Sequence, residues 1–221
     1  STQWGNFCPI HTPDGGNIGM HKHMALMATI TSGTSGYPFI KFLRRGVGIK
    51  LLEECTHDYL SNSTKIFVNG AWIGSTDNTV RCVNYLKLCR RNSLINIHTS
   101  IAWDIYRNEV QIFTDSGRIC HPLLYVNGNN ISYERDDVIK QIQDDSLTWS
   151  NCIHGFADKK LDINNSSVSV YEFKELYNIK SKRPGDVEDF LHKNASIIDY
   201  IDTNEMDGLM LPRTNELKEN F

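Results

Sequence analysis

Residues 64–74 read TKIFVNGAWIG and predict a β-hairpin. Two runs rich in β-branched and aromatic residues, 64–68 and 71–73, flank the dipeptide Asn69-Gly70. Such runs are typical of strands, and Asn-Gly favours the two-residue turn in which both residues take positive φ. Gly74 is predicted to end the second strand. The hairpin is the clearest local signal in the chain, and further elements are predicted on both sides of it.

Residues 77–91 (DNTVRCVNYLKLCRR) are predicted to form a helix directly after the hairpin. Asp77 is the expected N-cap, because a short acceptor side chain can bind a free amide of the first turn. Lys87, Arg90 and Arg91 fall in the last turn, where cations complement the helix dipole. This explains the basic residues without nucleic acid. The apolar residues expected on one face are Val80, Val83, Leu86 and Cys89.

Three further strands are predicted over 99–107, 110–114 and 118–126, because apolar residues alternate there and turn residues separate the runs. Short turns between successive strands indicate a β-meander. Residues 127–130 (NGNN) are the expected joint to the next unit.

On the N-terminal side of the hairpin, residues 24–32 (MALMATITS) are apolar and partly β-branched, and they predict a buried strand. Residues 38–53 fit either a strand or a helix. Residues 1–20 are rich in Gly, Pro and Asn and predict consecutive turns.

The C-terminal third predicts short mixed elements, so the whole chain is predicted as α+β, with small antiparallel sheets and packed helices in two or three subdomains. The tail, residues 203–221, is polar and is expected to be partly loose. The remaining predictions are helices over 132–143, 146–154 (ended by Gly155) and 186–193, strands over 166–172 and 195–202, and a loop over 181–185.

Composition argues against a wholly basic nucleic-acid binder, because the 221 residues carry a net charge of −3. Local basic sites remain possible at residues 21–23 and at Lys41, Arg44 and Arg45, although such clusters are more often solvated. The chain lacks an 18-residue apolar run and a signal-peptide pattern. It also lacks an initiator Met, which fits a trimmed or internal fragment. Six scattered cysteines without a CxxC pair indicate free thiols in a reducing compartment.

Motifs for catalysis are missing from the sequence: it has neither a local Ser/His/Asp arrangement nor a phosphate-binding GxxxxGK[ST] loop. We therefore predict no catalytic residue. Cys8, His11, His21 and His23 are four potential zinc ligands within 16 residues. Their spacing, C-x2-H-x9-H-x-H, matches no common zinc site, so we predict no metal here.

The N-terminal turns carry a family resemblance. Residues 4–20 (WGNFCPIHTPDGGNIGM) resemble a hallmark of the second-largest subunit of multisubunit RNA polymerases, which usually reads WG-x-x-CP-x-x-TPEG-x-x-x-GL. The bacterial β subunit has a similar stretch, CPIETPEGPNIGL.

Other stretches match the same family in the same order. Residues 64–74 resemble its VFVNG-x-W-x-G element, and residues 89–91 stand where it has the end of an LRR helix. Residues 101–126 resemble I-x-x-DI … IFTDAGR … PL, and residues 198–202 resemble EYID. The resemblance thus spans nearly the whole chain.

The resemblance implies a division into parts: residues 1–32 would be the end of the fork, beside the active centre. Residues 33–63 would connect it to a first external domain, 64–130, which is followed by a second external domain, 131–202. Residues 203–221 would be a polar tail.

The resemblance also implies which residues matter. Those expected near nucleic acid or the active centre are Asp14, Gly15, Gly16, Asn17 and Lys22. Those expected to be structural are Trp4, Cys8, Pro9, Thr12, Pro13, Trp72, Asp115, Gly117 and Arg118.

Departures from the family pattern indicate a divergent polymerase. Asp14 and His11 stand where the family has Glu, and Met20 stands where it has Leu. A large DNA virus is the preferred source, ahead of a eukaryotic or archaeal enzyme. The location would be intracellular: a viral factory, virion or cytoplasm for a viral protein, and the nucleus for a cellular eukaryotic one.

The implied reaction is template-directed nucleotidyl transfer with Mg²⁺ held by the largest subunit, so the isolated segment is expected to be inactive and to need no cofactor of its own. Implied partners are the largest and other polymerase subunits, template DNA, the RNA transcript and nucleoside triphosphates, without a membrane. Two alternatives stay open: a stand-alone nucleic-acid-binding module and a zinc-stabilised interaction domain.

Overall fold

Short helices and small, mostly antiparallel sheets are mixed along the chain, which confirms the predicted α+β class. The computed structural model describes residues 3–128, 130–156 and 184–209. Within them the strands are β1 (Thr29–Ile30), β2 (Lys50–Leu51), β3 (Thr64–Val68), β4 (Ala71–Thr76), β5 (Ser100–Asp104), β6 (Glu109–Phe113), β7 (Ile119–Leu124), β8 (Val126–Asn127), β9 (Asn130–Ile131) and β10 (Ile198–Asp202). The helices are α1 (Gly36–Phe42), α2 (His57–Asn62), α3 (Thr79–Arg91), α4 (Asp136–Gln143), α5 (Trp149–His154), α6 (Pro184–Asn194) and α7 (Thr203–Asp207).

The predicted hairpin is present as β3 and β4, joined by Asn69 and Gly70 with φ of 49° and 83°. It lies in the middle of a five-stranded sheet of order β2-β4-β3-β6-β5. The prediction that Gly74 ends the second strand is wrong, because β4 continues to Thr76. Gly74 instead lets β2 pair closely, since a Cβ at this position would collide with the carbonyl oxygen of Lys50.

Helix α3 packs on one face of this sheet and forms the main core with it. The predicted N-cap is wrong by one residue, because the side chain of Asn78, and not that of Asp77, accepts the amide of Arg81 at 3.1 Å. Val80 was expected on the buried face but is 55% exposed. Buried residues of this core include Ile66, Val68, Cys82, Val83, Leu86, Cys89, Ile101, Val110 and Ile112.

The predicted three-strand meander is wrong at its third strand. Strands β5 and β6 pair antiparallel as expected, but the other edge of β6 pairs in parallel with β3. No edge of β6 is left for β7, which lies between β1 and β10 in a separate three-stranded sheet.

The prediction of a buried strand over residues 24–32 is also wrong. The strand is limited to β1, whose two residues are both exposed, and Leu26 before it is 100% exposed. β1 is an edge strand that pairs with β7 over only two residues, so little of the run contacts the sheet. Residues 38–53, which fitted either structure, contain both: the end of α1, a π-helical turn (Leu43–Val47), β2 and a 3-10 turn (Leu52–Glu54).

Helices α4, α5 and α6 confirm the three helices predicted in the C-terminal third, and Gly155 ends α5 with φ of 90°. Residues 184–185 belong to α6, so the loop predicted over 181–185 is wrong there. The strand predicted over 166–172 and the rest of that loop lie outside the described residues.

The start of the predicted loose tail is packed into the fold, because α7 carries the buried side chains of Glu205 and Met206. Glu205 forms a bidentate ion pair with Arg90 of α3, with distances of 2.6 and 3.0 Å, and each side chain is 2% exposed. Arg90 also donates to the carbonyl of Thr99 at 2.9 Å.

A second carboxylate completes this charged cluster. Asp199 of β10 accepts from Arg91 at 2.8 and 2.9 Å and lies 3.6 Å from Arg90. Burial alone would raise the pKa of Asp199, but the two guanidinium groups outweigh it and lower that pKa. The ammonium of Lys87 lies 3.7 Å from Glu205. The basic residues at the end of α3 therefore neutralise carboxylates from β10 and α7.

We expect Trp72→Ala to destabilise the sheet moderately. The indole stacks on Phe67 with ring centroids 6.2 Å apart and donates to the carbonyl of Gly74 at 3.0 Å, but it is 36% exposed. A half-exposed aromatic pair of this kind is worth about 1–2 kcal/mol. Thermal unfolding should show a lower melting temperature, and an unchanged one would contradict the anchoring role. Ile66→Ala, at a fully buried site, should cost more, about 2–5 kcal/mol.

We expect Glu205→Gln to destabilise the fold by about 3 kcal/mol, because it leaves Arg90 charged and buried without its main counter-charge. The matched control is Glu188→Gln, which removes the carboxylate from the exposed Arg81–Glu188 pair. That change should cost less than about 1 kcal/mol. Urea unfolding of both variants measures the difference, and equal losses would show that the buried pair does not fix α7.

Candidate functional site

Two backbone contacts close the N-terminal segment into a loop. The amide of Cys8 donates to the carbonyl of His23 at 2.9 Å, and the amide of Ala25 donates to the carbonyl of Asn6, also at 2.9 Å. The two ends of residues 9–22 therefore lie side by side. We call these residues the N-terminal loop.

The base of this loop is fixed to β7. Asn6 is fully buried, and its Oδ1 lies 3.0 Å from Nδ1 of His121. Burial lowers the pKa of His121, so its imidazole is neutral at neutral pH. Gly5 has φ of +76°, and a Cβ there would lie 2.9 Å from the His121 ring. A larger residue would push the loop base away from the strand.

Asp14, Gly15, Gly16 and Asn17 come together at the exposed tip of the loop. The hydroxyl of Thr12 donates to the carbonyl of His21 at 3.0 Å, so residues 13–20 extend beyond this link. A Cβ at Gly16 would have no neighbour within 4 Å. The backbone at the tip is open to close approach by another molecule.

Lys22, the fifth residue predicted for this site, lies on the returning arm and not at the tip. Its ammonium is 5.5 Å from the centroid of the Phe7 ring. The structure therefore divides the predicted set into four tip residues and one cation beside the loop base.

His11, in the loop, pairs with His23, which directly follows the loop. The rings of His11 and His23 stack with centroids 3.7 Å apart, and the amide of His11 lies 3.4 Å from Cys8 Sγ. Backbone amides from His11 and Ile10 lower the pKa of the Cys8 thiol. In the described part of the chain, His, Cys, Asp and Glu do not form a group of three or more suited to a metal ion.

Large apolar side chains of this segment face solvent. Trp4 is 78% exposed, Ile10 and Met20 are each 85% exposed, and Leu26 is fully exposed. Trp4 was expected to be structural, yet most of it is not covered by the described residues. Several large apolar side chains of one short segment are thus left uncovered by the described residues.

Three other residues expected to be structural, Asp115, Gly117 and Arg118, lie in the turn between β6 and β7. Arg118 donates to Asp115 at 2.8 Å and to Asp202 of β10 at 2.6 Å. Gly117 has φ of +85°, and its amide donates to the carbonyl of Thr31 at 3.2 Å. This turn therefore fixes the end of the N-terminal segment. Cys8, Pro9, Thr12 and Pro13 lie in or next to the loop, and Trp72 lies apart in the hairpin.

Sequence reasoning missed the residues that hold the loop base. Asn6 and His121 are 115 positions apart, and neither lies in a periodic pattern that would reveal the contact. Only the turn-rich composition of residues 1–20 signalled a loop there. No helix in the described ranges is long and apolar enough to cross a membrane.

Known families match two parts of the chain. Residues 1–30 match the family described as RNA polymerase Rpb2, domain 3, and residues 66–127 match RNA polymerase Rpb2, domain 4. The first match contains the N-terminal loop, and the second contains most of the five-stranded sheet and α3.

Individual relatives carry matching names. DNA-directed RNA polymerase II subunit RPB2 of Encephalitozoon cuniculi is 35% identical over 170 residues, which cover 77% of this chain and 15% of the relative. The subunit of the same name from Schizosaccharomyces pombe is 37% identical over 138 residues, 62% of this chain and 11% of the relative.

A viral relative is also similar. DNA-directed RNA polymerase subunit 2 of Acanthamoeba polyphaga mimivirus is 28% identical over 202 residues, 87% of this chain and 16% of the relative. The chain thus spans less than a fifth of each of these three relatives. The two family matches and the named relatives show that the chain belongs to the family of second-largest subunits of DNA-directed RNA polymerases. It corresponds to part of such a subunit.

Proposed function

We propose that this chain serves template-directed RNA synthesis by positioning nucleic acid beside the active centre of a DNA-directed RNA polymerase. The observation that carries the proposal is an exposed loop tip, Asp14 to Asn17, on a base that is fixed to β7 through Asn6 and His121. A rigid base gives the tip a defined place, and placing reactants is a large part of catalysis.

The chemistry proposed for the whole enzyme does not come from this chain. In the transfer, an RNA 3′-hydroxyl attacks the α-phosphate of a nucleoside triphosphate, and two Mg²⁺ ions stabilise the charge. We propose that the largest subunit holds the metal, and that the segment alone is inactive. Other polymerase subunits, template DNA, transcript and nucleoside triphosphates are the proposed partners.

The tip and the neighbouring arm would act differently on nucleic acid. Gly15 and Gly16 leave the backbone bare, so its amides can approach a strand or a neighbouring catalytic element. The Asp14 carboxylate would accept hydrogen bonds from that element and would repel phosphate. Lys22, on the returning arm, is the proposed contact to the phosphate backbone.

We also propose that the chain is divided as its resemblance to the family implies. Residues 1–32 are the end of the fork, 33–63 a connection, 64–130 a first external domain, 131–202 a second, and 203–221 a polar tail. The two family matches support the first and third parts. One sheet spans these parts, because β1, β7 and β10 come from three of them.

The proposed source is a large DNA virus, which the similarity to the mimivirus subunit supports. The place of action would then be a viral factory, the virion or the cytoplasm. For a cellular eukaryotic enzyme the place of action would be the nucleus. The similarity to the RNA polymerase II subunits supports this alternative.

We expect Asp14→Ala, made in the whole polymerase, to slow elongation about fivefold. The loss of one hydrogen-bonding carboxylate is worth about 1 kcal/mol, and each 1.4 kcal/mol is tenfold in rate. Elongation on a defined template, timed by the length of the transcript, measures the effect. Subunit composition should stay unchanged, because Asp14 is exposed.

Two variants control for this experiment. Asp144→Ala removes an exposed carboxylate far from the loop in sequence, at the end of α4, and should leave elongation unchanged. Asp14→Glu keeps the carboxylate and should elongate faster than Asp14→Ala. Normal elongation by Asp14→Ala would rule out the proposed role of the tip.

A further inference from the structure

A groove lies beside β5, at the outer edge of the five-stranded sheet and away from the N-terminal loop in sequence. Strand order makes β5 the last strand on this side, and the end of α7 lies next to it. The groove has a volume of about 470 Å³. The lining residues that matter here are Trp103, Asp104, Ile105, Tyr106, Asp207 and Gly208.

Trp103 lines the groove, and its indole packs against the main core. Nε1 of Trp103 is buried, so a docked molecule does not reach this donor.

Two apolar side chains of the groove, Ile105 and Tyr106, are strongly exposed. Tyr106 is fully exposed and Ile105 is 68% exposed, and both lie in the turn between β5 and β6. The turn itself is ordered, because the amide of Arg107 donates to Asp104 at 3.0 Å and the amide of Asn108 donates to the carbonyl of Ile105 at 3.3 Å. An aromatic side chain on a fixed turn binds with a small loss of conformational entropy.

The charge of the groove indicates which class of molecule fits it. Asp104 and Asp207 contribute two carboxylates, whereas Arg107 is the one cation among the lining residues and lies 3.5 Å from Asp104. This acidic balance repels phosphate and so disfavours DNA and RNA. It attracts lysine and arginine side chains.

We propose that this groove is a docking site for another protein chain that brings a basic side chain to Asp207. An apolar side chain of the same chain covers Tyr106. Aromatic anchors with a charged rim are typical of protein interfaces. The site differs from the proposed nucleic-acid contact of the loop tip in place and in charge.

Photo-crosslinking tests the proposal in the native assembly, purified through the complete polypeptide that carries this chain. The reactive variant is Tyr106→p-benzoylphenylalanine, and the control is Tyr37→p-benzoylphenylalanine, at a tyrosine of α1 that is 66% exposed. We expect a crosslink from position 106 to one protein, at a peptide with lysine or arginine within about five residues of the linked atom. A crosslink to nucleic acid, or no protein crosslink above the Tyr37 control, would overturn the proposal.

A charge reversal tests the contact to Asp207. In the Tyr106 crosslinking background, Asp207→Lys should lower the crosslink yield at least about tenfold, while Asp144→Lys should leave it unchanged. Equal yields from the two variants would overturn the role of Asp207. Equal melting temperatures of the variants would show that a loss does not come from unfolding.

These outcomes are separate from the proposed function. An assembly without template-directed RNA synthesis would refute the polymerase role, whereas the crosslink from position 106 reports on the groove alone.

Discussion

The buried ion pair between Arg90 and Glu205 is the constraint on which the rest of the fold depends. Each side chain is 2% exposed, and the two residues are 115 positions apart. Removing a charge from water costs several kcal/mol, so neither group is tolerated in the interior without the other. The pair therefore holds α7 against α3 in the observed arrangement.

The position of α7 also determines the position of β10, the strand before it. Helix α7 follows β10 directly, so the ion pair sets the position of Asp199 and Asp202. Asp199 binds Arg91, and Asp202 binds Arg118 at 2.6 Å in the turn after β6. This turn holds the backbone at Thr31, and β7 holds the base of the N-terminal loop. A run of polar contacts thus connects the core of α3 to the place where the loop begins.

Local signals predicted the local elements. The hairpin followed from the Asn69-Gly70 turn, α3 from its apolar spacing, and the end of α5 from Gly155. Pairing between distant segments could not be predicted, because a strand pattern does not say which strand lies beside it. The meander failed for this reason: its turns permitted β7 to continue the first sheet, whereas β3 occupies the edge of β6 that β7 would need.

The candidate site shows the same division. Gly15 and Gly16 revealed an exposed turn from sequence, but the contact between Asn6 and His121 that fixes the base left no local trace. Lys22 lies away from the tip, beside Phe7, and its spacing in the sequence did not indicate this separation. A turn motif predicts that a loop exists, and the direction in which it extends depends on a buried contact far along the chain.

The apolar run over residues 24–32 is largely exposed. Its composition predicted burial, yet Leu26 is fully exposed and Ile30 is 53% exposed. Burying a leucine or isoleucine side chain is worth about 1.5–3 kcal/mol, so these residues strongly favour contact with another surface. An apolar run indicates that burial is favourable, but it does not indicate which surface covers the run. The prediction for residues 24–32 is therefore wrong both in the extent of the strand and in its burial.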